Sequence, residues 1–545
     1  MAVSLERAPL PSGRPVDSGS TSTRAALTAA VVLAIVASTI GLWQLLAREQ
    51  VFGADTLPGP WAVADQMWQD RSLLVANTWT TLSEVGPGLL VAVGSAVLFG
   101  VLFVEVRAVE RLLSGPFVAL LCAPPIALAP IFYVTFSPYV EKVSLAALAA
   151  FFPVLVATIA GMTGIDPVLV DVVRAVGGGR GQAVFKVELP AALPSITSGI
   201  QIAAPAAVLG AILGEFAGGS SGLGVFMLNS LTEFQPARTW GTGVVATVLG
   251  AACYLAVGAL RRLVFKDEPL PLRNGRYRGG TGAAPLWSRA AVLVVSVGIA
   301  VGGWWSALAL FHLPSYFVKS PGAVFQFFLG NDGASGANRS SVFAALWQTL
   351  PGALIGALVG LVAAVVGGAL LLRSRSAQAT VMPVAMVLQS VPLQALAPLI
   401  VVVLGRGLVS TVTVAVLVVF FPCVVLIAFG LRSTPTAALD VFHALNASES
   451  QVMFKLRIPA AIPQFVAAAR IGLPTALMGV LVAEFLASGS GIGYLLANAR
   501  QDSQYGTVWA ATVLVTLVSV ILYASVGTLD RIVTAWYVDG GSPDG

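Results

Sequence analysis

The stretch from Asp171 to Pro190, DVVRAVGGGRGQAVFKVELP, returns 269 positions later as Asp440 to Pro459, DVFHALNASESQVMFKLRIP. Shorter matches keep the same displacement. They are Phe-Phe-Pro at 151–153 and 420–422, Glu-Phe at 215–216 and 484–485, and Ser-Gly-Leu-Gly at 221–224 against Ser-Gly-Ile-Gly at 490–493. Chance does not maintain one offset over so many residues, so the chain consists of two homologous halves.

The composition rules out a soluble protein. Of 545 residues, 57% are hydrophobic and only 10% are charged, and the mean hydropathy is +0.88. Soluble domains carry about 25% charged residues to cover a hydrated surface, and disordered chains lack such an apolar content. The apolar residues come in runs of about 20, the length at which a helix crosses a bilayer. The sequence therefore predicts an all-α, polytopic membrane protein.

Twelve apolar runs predict twelve spans, six in each half. They lie at 25–46, 82–104, 113–135, 143–163, 191–215, 240–260, 289–311, 348–371, 379–404, 409–430, 463–486 and 508–529. The polar tail at 1–23 precedes no cleavage-site pattern, so we expect the first run to be a retained anchor. We predict domains at 24–265 and 288–536, a basic cytoplasmic linker at 266–287 and a cytoplasmic tail at 537–545.

An even number of spans per half makes the repeat parallel, with a pathway between the halves. This excludes five-plus-five inverted carriers but not other six-plus-six carriers. With the N-terminus inside, 21 of the 30 Lys and Arg residues fall in inner segments and 8 in outer ones. Since positive residues stay on the cytoplasmic side, we expect both termini to be cytoplasmic and the protein to lie in the cell membrane.

The loop between the fourth and fifth spans is the best-matched part of the repeat and is about 27 residues long in the first half. Asp166-Pro167 is typical of a helix start, and Gly177-Gly178-Gly179 of a helix end. Between them lies an apolar stripe at helical spacing, Leu169, Val172, Val173 and Val176. We expect the next span to restart at Leu189-Pro190. A short amphipathic helix with a glycine end is a docking element; the alternative is an interfacial helix without a partner.

At these residues the sequence resembles the membrane subunits of ATP-binding-cassette (ABC) importers, whose loop follows the pattern E-A-A-x-x-x-G with I-x-L-P some nine residues later. Within that group it is most similar to the nitrate, sulfonate and taurine permeases, and the resemblance implies a type I importer permease fold. It implies ATPase coupling by loop 1 at Asp171, Val172, Arg174, Gly177, Leu189 and Pro190, and by loop 2 at Asp440, Val441, His443, Asn446, Ile458 and Pro459. Asn446 stands where the pattern has glycine, and because Asn tolerates left-handed backbone, the turn can form.

The resemblance also implies the partners, which are two ABC ATPase subunits carrying ATP and Mg²⁺, an extracytoplasmic substrate-binding protein, and a small solute. The chain itself has no GxxxxGK[ST] phosphate loop and no nucleophile–base pair, so we expect no enzyme activity, no cofactor of its own and no nucleic-acid partner. The alternatives are a fused ferric-iron or thiamin permease and a six-plus-six secondary carrier. The carrier would need a carboxylate near the bilayer middle, and the predicted spans contain none there.

Polar residues inside spans are costly and therefore candidates for function. We expect Glu215 and Glu484 at outer span ends close to water, as loop tethers. The other candidates for pathway lining or tethering are Gln201, Gln389, Gln394 and Arg470. Cys122, Cys253 and Cys423 lie in apolar runs without metal-type spacing, so we expect core packing and no metal site.

Overall fold

The computed structural model describes residues 37–38, 40–51, 57–264, 286–310, 313–330, 333–372, 397–434 and 436–539. All regular elements in these ranges are helical, which confirms the all-α prediction. After helical residues 40–48, the first half contains α1 Pro60–Gln69, α2 Arg71–Glu105, α3 Arg107–Cys122, α4 Pro125–Thr135, α5 Pro138–Thr163, α6 Pro167–Ala175, α7 Arg180–Gly218, α8 Leu223–Thr232 and α9 Pro236–Val264.

The described residues of the second half follow the same order. They form α10 Leu286–Leu310, α11 Pro321–Leu329, α12 Gly333–Leu372, α13 Ala397–Leu404, α14 Leu408–Arg432, α15 Thr436–Ala444, α16 Glu449–Val452, α17 Ile462–Ala483, α18 Gly491–Gln501 and α19 Tyr505–Asp539. The short helices α8 and α18, which follow the fifth span of each half, were not predicted from the sequence.

In the described ranges, eight helices are long and apolar enough to cross a membrane, and they coincide with eight of the predicted spans. Helix α10 covers the predicted seventh span, whereas the first and ninth lie partly outside the described residues. The predicted third span, 113–135, is wrong as a single helix. It is broken into α3 and α4, which are bent by 97°, because Pro124 and Pro125 lack the N–H groups that a continuous helix needs.

Each half is built around its fourth span. Helix α5 packs against α2 and α7, and the equivalent α14 packs against α12 and α17. The backbones approach closely at small residues, as in other membrane bundles. A Cβ added to Gly88 would lie 2.6 Å from Cβ of Ala146, and one added to Gly356 would lie 2.4 Å from Cβ of Ala415. The repeat therefore extends from the sequence to individual packing contacts.

The two halves meet along a seam that includes the broken span. Helix α4 contacts α17, α18 and α19 of the second half, and α10 of the second half packs on α3. The hydroxyl of Thr512 donates to the carbonyl of Ala127 across this seam at 2.8 Å. Bundles built from repeats place their ligand sites at such interfaces, commonly beside a discontinuous helix.

Candidate functional site

Helix α6 in the first half is held by local interactions at both of its ends. At its start, the Asp166 side chain accepts a hydrogen bond from Val168 N–H at 3.1 Å. At its end, Gly177 has φ +79°, Gly177 N–H donates to Arg174 O at 3.0 Å, and Gly178 N–H donates to Val173 O at 2.8 Å. This pair of bonds around a left-handed residue is a Schellman motif. The turn therefore needs a residue that tolerates positive φ.

Helix α15 in the second half ends in the same way without glycine. Asn446 has φ +51°, its N–H donates to His443 O at 3.0 Å, and Ala447 N–H donates to Phe442 O at 3.0 Å. The left-handed turn expected at Asn446 is thus present. A capping box between Ser448 and Gln451 then starts α16.

The two loops present the same exposed apolar surface, which we call the loop patches: Val172, Val176 and Phe185 in the first half, and Val441, Leu445 and Phe454 in the second. Equivalent side chains are exposed to similar extents: 56% for Val172 and 57% for Val441, 81% for Val176 and 75% for Leu445, and 69% for Phe185 and 70% for Phe454. Neither α6 nor α15 contains a buried residue. Side chains this apolar are normally buried, so the loop patches have the character of contact surfaces.

The polar members of the predicted site lie beside the loop patches. Asp171 and Arg174 form an exposed ion pair at 3.4 Å, and Asp440 and His443 are exposed at the equivalent positions of α15. Of the predicted stripe in the first half, Leu169, Val172 and Val176 are exposed and only Val173 is partly buried. The stripe therefore faces away from the rest of the chain.

The predicted restart of the fifth span at Leu189-Pro190 is wrong. The span runs from Arg180 to Gly218, and it passes through a π-helical turn, Val184–Glu188, in which Leu189 N–H bonds Val184 O. The second half has a matching π-helical turn at Met453–Arg457, before Ile458-Pro459. A π turn lets the helix accommodate a residue without an N–H, and such turns are frequent at functional sites. In the first half, Phe185 of the loop patch therefore lies on the same helix as the fifth span. In the second half, the single turn residue Ala461 separates the helix that carries Phe454 from α17.

A second connection ties the first loop to α2, and the sequence analysis missed it. Arg180 forms a bidentate ion pair with Glu105, with N–O distances of 2.6 and 2.9 Å. The carboxyl of Glu188, which is 6% exposed, lies close to this pair. In the second half, Glu449 stands at the position of Arg180 and Arg457 at that of Glu188. This reversal of charge at a fixed offset is the signal that identifies the connection.

The opposite end of each half is closed by a buried carboxylate, and we call these two arrangements the clasps. Glu215 accepts from the Thr81 hydroxyl at 2.6 Å and from Gly224 N–H, while Leu223 N–H donates to Thr81 Oγ1 at 3.0 Å. In the second half, Glu484 accepts from the Thr349 hydroxyl at 2.8 Å and from Gly493 N–H at 3.0 Å. The clasps fix the start of α8 against α2 and of α18 against α12. The two ends of the bundle are called the loop side and the clasp side.

The expectation that these carboxylates lie close to water is wrong. Glu215 is 1% exposed and Glu484 is 3% exposed. In each clasp the threonine and a backbone amide are supplied by segments far apart in sequence. A buried carboxylate needs several such donors, because burial without them is costly.

The first half also contains buried charges near its clasp. Glu84 and Lys142 form an ion pair at 3.0 Å with side chains 2% and 5% exposed. Glu141 is 0% exposed, and neither carboxyl oxygen has a hydrogen-bond partner in the described structure. Glu141 and Lys142 fall outside the predicted fourth span, which starts at 143, because α5 begins at Pro138. Glu84 lies two residues inside the predicted span 82–104, close to its clasp end. The absence of a carboxylate near the bilayer middle stays a prediction.

An arginine crosses the seam on the clasp side. Arg500 of α18 donates to the carbonyl of Ala217 in the first half, and its guanidinium lies 5.1 Å from the ring centroid of Tyr133 on α4. The side chain is also within electrostatic range of Glu141. The short helix after the fifth span of the second half is therefore attached to the first half.

The remaining candidates lie in the fifth spans or outside the described residues. Gln201 and Arg470 occupy equivalent positions, each packed against a glycine of the last span of its own half. A Cβ on Gly258 would lie 2.6 Å from the Gln201 amide nitrogen, and one on Gly527 would lie 3.5 Å from Cζ of Arg470. Gln389 and Gln394 lie outside the described residues. Cys122 and Cys423 are buried and Cys253 is partly buried, all as free thiols.

A helical membrane bundle built from two parallel repeats is an architecture that membrane transporters use. The chain belongs to the family of binding-protein-dependent transport system inner membrane components, which matches residues 88–267 and again 356–535. It is therefore a multi-pass membrane protein in which two permease domains are fused.

The relatives are permeases of about half this length. A probable ABC transporter permease protein of Haemophilus influenzae is 32% identical over 240 residues, which are 43% of this chain and 92% of that protein. The putative aliphatic sulfonates transport permease SsuC of Bacillus subtilis is 29% identical over 43% of this chain and 86% of its own length. The taurine transport system permease TauC of Escherichia coli is 25% identical over 50% of this chain and 98% of its own length. These relatives do not favour a ferric-iron permease, a thiamin permease or a secondary carrier.

Proposed function

We propose that this chain forms the entire translocation pathway of an ABC importer and is driven by two separate ATPase subunits that dock on its two loops. The observation that carries the proposal is the pairwise agreement of the loop patches, in which Val172, Val176 and Phe185 are exposed to the same extent as their counterparts. One ATPase pair with twofold symmetry requires two equivalent surfaces, and this chain supplies both. ATP and Mg²⁺ bind to those subunits, and a substrate-binding protein delivers the solute to the clasp side.

The contacts around the loops provide a route for the movement. In the first half, Phe185 of the loop patch lies on the same helix as the fifth span, and Arg180 also holds the loop to α2 through Glu105. The clasps hold the far ends of these same helices together. Closure of the ATPases then moves each half as a body, and the seam opens alternately to either side of the membrane.

The loop side is the cytoplasmic side in this proposal, as the distribution of Lys and Arg residues favours. Cysteines placed at Val176 and at Phe234, which are 81% and 91% exposed, test it in a background without native cysteines. An impermeant thiol reagent applied outside cells should label position 234 and spare position 176. Labelling of position 176 alone would reverse the orientation.

Docking is tested by placing charge on the loop patches. Val176→Asp and Leu445→Asp should each weaken co-purification of the ATPase, and the double variant should abolish it, because an uncompensated charge in an apolar contact is costly. Phe234→Asp is the matched control, since Phe234 is equally exposed but lies on the clasp side. Normal ATPase binding by the double variant would refute docking at the loop patches.

The subunit composition follows from the presence of two loops on one chain. Native mass spectrometry of the purified complex should give one copy of this chain and two ATPase copies. A complex with two copies of this chain would contradict the proposal.

A further inference from the structure

Arg470 is a cation inside a membrane helix, the fifth span of the second half. It lies eight residues from the start of α17, a rise of about 12 Å along the helix. It forms no ion pair or hydrogen bond with any described residue, and its Nε atom is buried without an acceptor. A charged residue inside the membrane is costly and usually has a partner or a function. Its partner is therefore absent from the described part of this chain.

The groups around Arg470 come from both halves. Its guanidinium lies 4.3 Å from the ring centroid of Tyr523 on α19. It is also within electrostatic range of the Cys122 thiol of the first half, which in turn lies beside the hydroxyl of Ser519. Cys122 is the last residue of α3 before the 97° bend. Arg470 is thus near enough to the end of α3 to interact with it electrostatically, and α19, which carries Tyr523, packs on α3 across the seam.

The unsatisfied polar groups here are all able to donate. The Ser519 hydroxyl is 0% exposed and forms no hydrogen bond of normal geometry with a described residue. A guanidinium only donates, a hydroxyl can donate, and a thiol is a weak donor. No carboxylate in the described structure pairs with Arg470 within 4.0 Å. A group that binds to these three donors must accept hydrogen bonds and carry negative charge.

The first half shows that packing alone does not require the charge. Gln201, Tyr254 and Gly258 occupy the positions equivalent to Arg470, Tyr523 and Gly527. The neutral amide of Gln201 contacts Gly258 much as the guanidinium contacts Gly527. The same packing arrangement therefore contains a neutral side chain in the first half and a cation in the second.

We propose that Arg470, with Ser519 and Cys122, forms an anion subsite in the seam that binds an oxyanion group of the transported solute. The proposal rests on the proposed function, in which the seam is the solute pathway. A guanidinium binds two oxygens of a carboxylate, sulfonate or nitrate group side by side. A solute entering between the halves would reach this subsite at the bend between α3 and α4.

Cys122 is a native probe of the local charge. In a variant that keeps only this cysteine, the full complex with its ATPases is placed in phosphatidylcholine nanodiscs and cycled with ATP. The thiol is then labelled in parallel with anionic sulfonatoethyl and cationic trimethylammonioethyl methanethiosulfonate. Dividing one labelling rate by the other cancels any effect of a variant on the intrinsic reactivity of the thiol. One nearby positive charge acts oppositely on the two reagents, so we expect the anionic one to react about tenfold faster.

Replacement of the charge should change only this ratio. Arg470→Gln introduces the residue found at the equivalent position of the first half and should bring the ratio of labelling rates close to that of free cysteine. Arg470→Lys should keep the wild-type ratio. Methanesulfonate at millimolar concentration should slow labelling of the wild-type site but not of Arg470→Gln. A variant that keeps only Cys253, on α9 of the first half, is the control and should not respond to residue 470.

Three results would overturn the proposed subsite. The first is that Cys122 is not labelled in any state of a complex that hydrolyses ATP, and the second is that Arg470→Gln has the same ratio of labelling rates as the wild type. The third is a preference for the anionic reagent that requires phosphatidylglycerol and does not respond to methanesulfonate. The last result would assign Arg470 to a lipid headgroup. All three leave the proposed function intact, whereas failure of the ATPases to assemble with the chain would refute the proposed function itself.

Discussion

Gly177→Val tests whether the turn after α6 positions the first loop patch. Gly177 has φ +79°, and a Cβ added there would meet no atom within 4 Å. The penalty is therefore one of backbone conformation and not of collision. A left-handed angle costs a residue with a Cβ about 1–2 kcal/mol, which corresponds to a decrease of about 5- to 30-fold in the population of the native turn.

The consequence should appear at the ATPase and not in the membrane bundle. Gly177→Val should insert and fold, yet bind its ATPase about 5- to 30-fold more weakly and lose ATP-driven uptake in proteoliposomes. Binding is measured with the chain in nanodiscs and the purified ATPase, and folding is monitored by thermal unfolding of the same sample. Wild-type binding together with normal uptake would refute the reasoning.

Three variants serve as controls for this experiment. Gly179 has φ −80° and open space around its Cβ position, so Gly179→Val should bind the ATPase normally. Gly177→Asn should retain most binding, because Asn446 holds φ +51° in the second loop. Asn446→Gly should also be tolerated, since glycine adopts that angle without strain.

Three further predictions concern the contacts away from the turn. Thr81→Val removes a hydrogen bond to the buried Glu215 and should destabilise the protein by about 1–3 kcal/mol, as measured by thermal unfolding; an unchanged melting temperature would show that the clasp does not bear on stability. Arg180→Glu should impair coupled ATP hydrolysis, and adding Glu105→Arg should restore much of it; additive losses in the double variant would exclude the ion pair as the cause. Arg238 donates two hydrogen bonds to Asp70 and thereby lowers the pKa of that carboxyl. The stability that this pair contributes should be complete above the ordinary pKa of 3.8 and should be lost as the pH falls below it. Asp70→Asn should abolish this acid dependence of stability.

Much of the fold could be predicted because the relevant information is local or repeated. Runs of about 20 apolar residues identify spans without reference to their neighbours, and eight of these were confirmed in the described residues. The left-handed turns at Gly177 and Asn446 also follow from residue type, since the sign of φ depends on the clash of a residue's own Cβ with its backbone. The fixed offset then transferred each local inference from one half to the other.

Errors arose where a helix continues or breaks for reasons of hydrogen-bond geometry. A proline predicts the loss of one N–H but not how the chain compensates. At Pro190 the preceding π turn keeps the helix continuous, whereas at Pro124 and Pro125 the chain bends by 97°. The difference depends on which neighbouring helices accept the altered direction.

The sequence by itself determined the class of protein, the duplication, eight of the spans and the two loop turns. The tertiary structure alone decided which polar groups meet: Thr81 with Glu215 across 134 residues, Arg500 with Ala217 across 283, and Lys142 with Glu84 across 58. The physical reason is that turns and spans follow from steric and hydration energies of neighbouring residues. A buried carboxylate or guanidinium instead takes its environment from helices that are distant in sequence, and the packing of the whole bundle sets their positions.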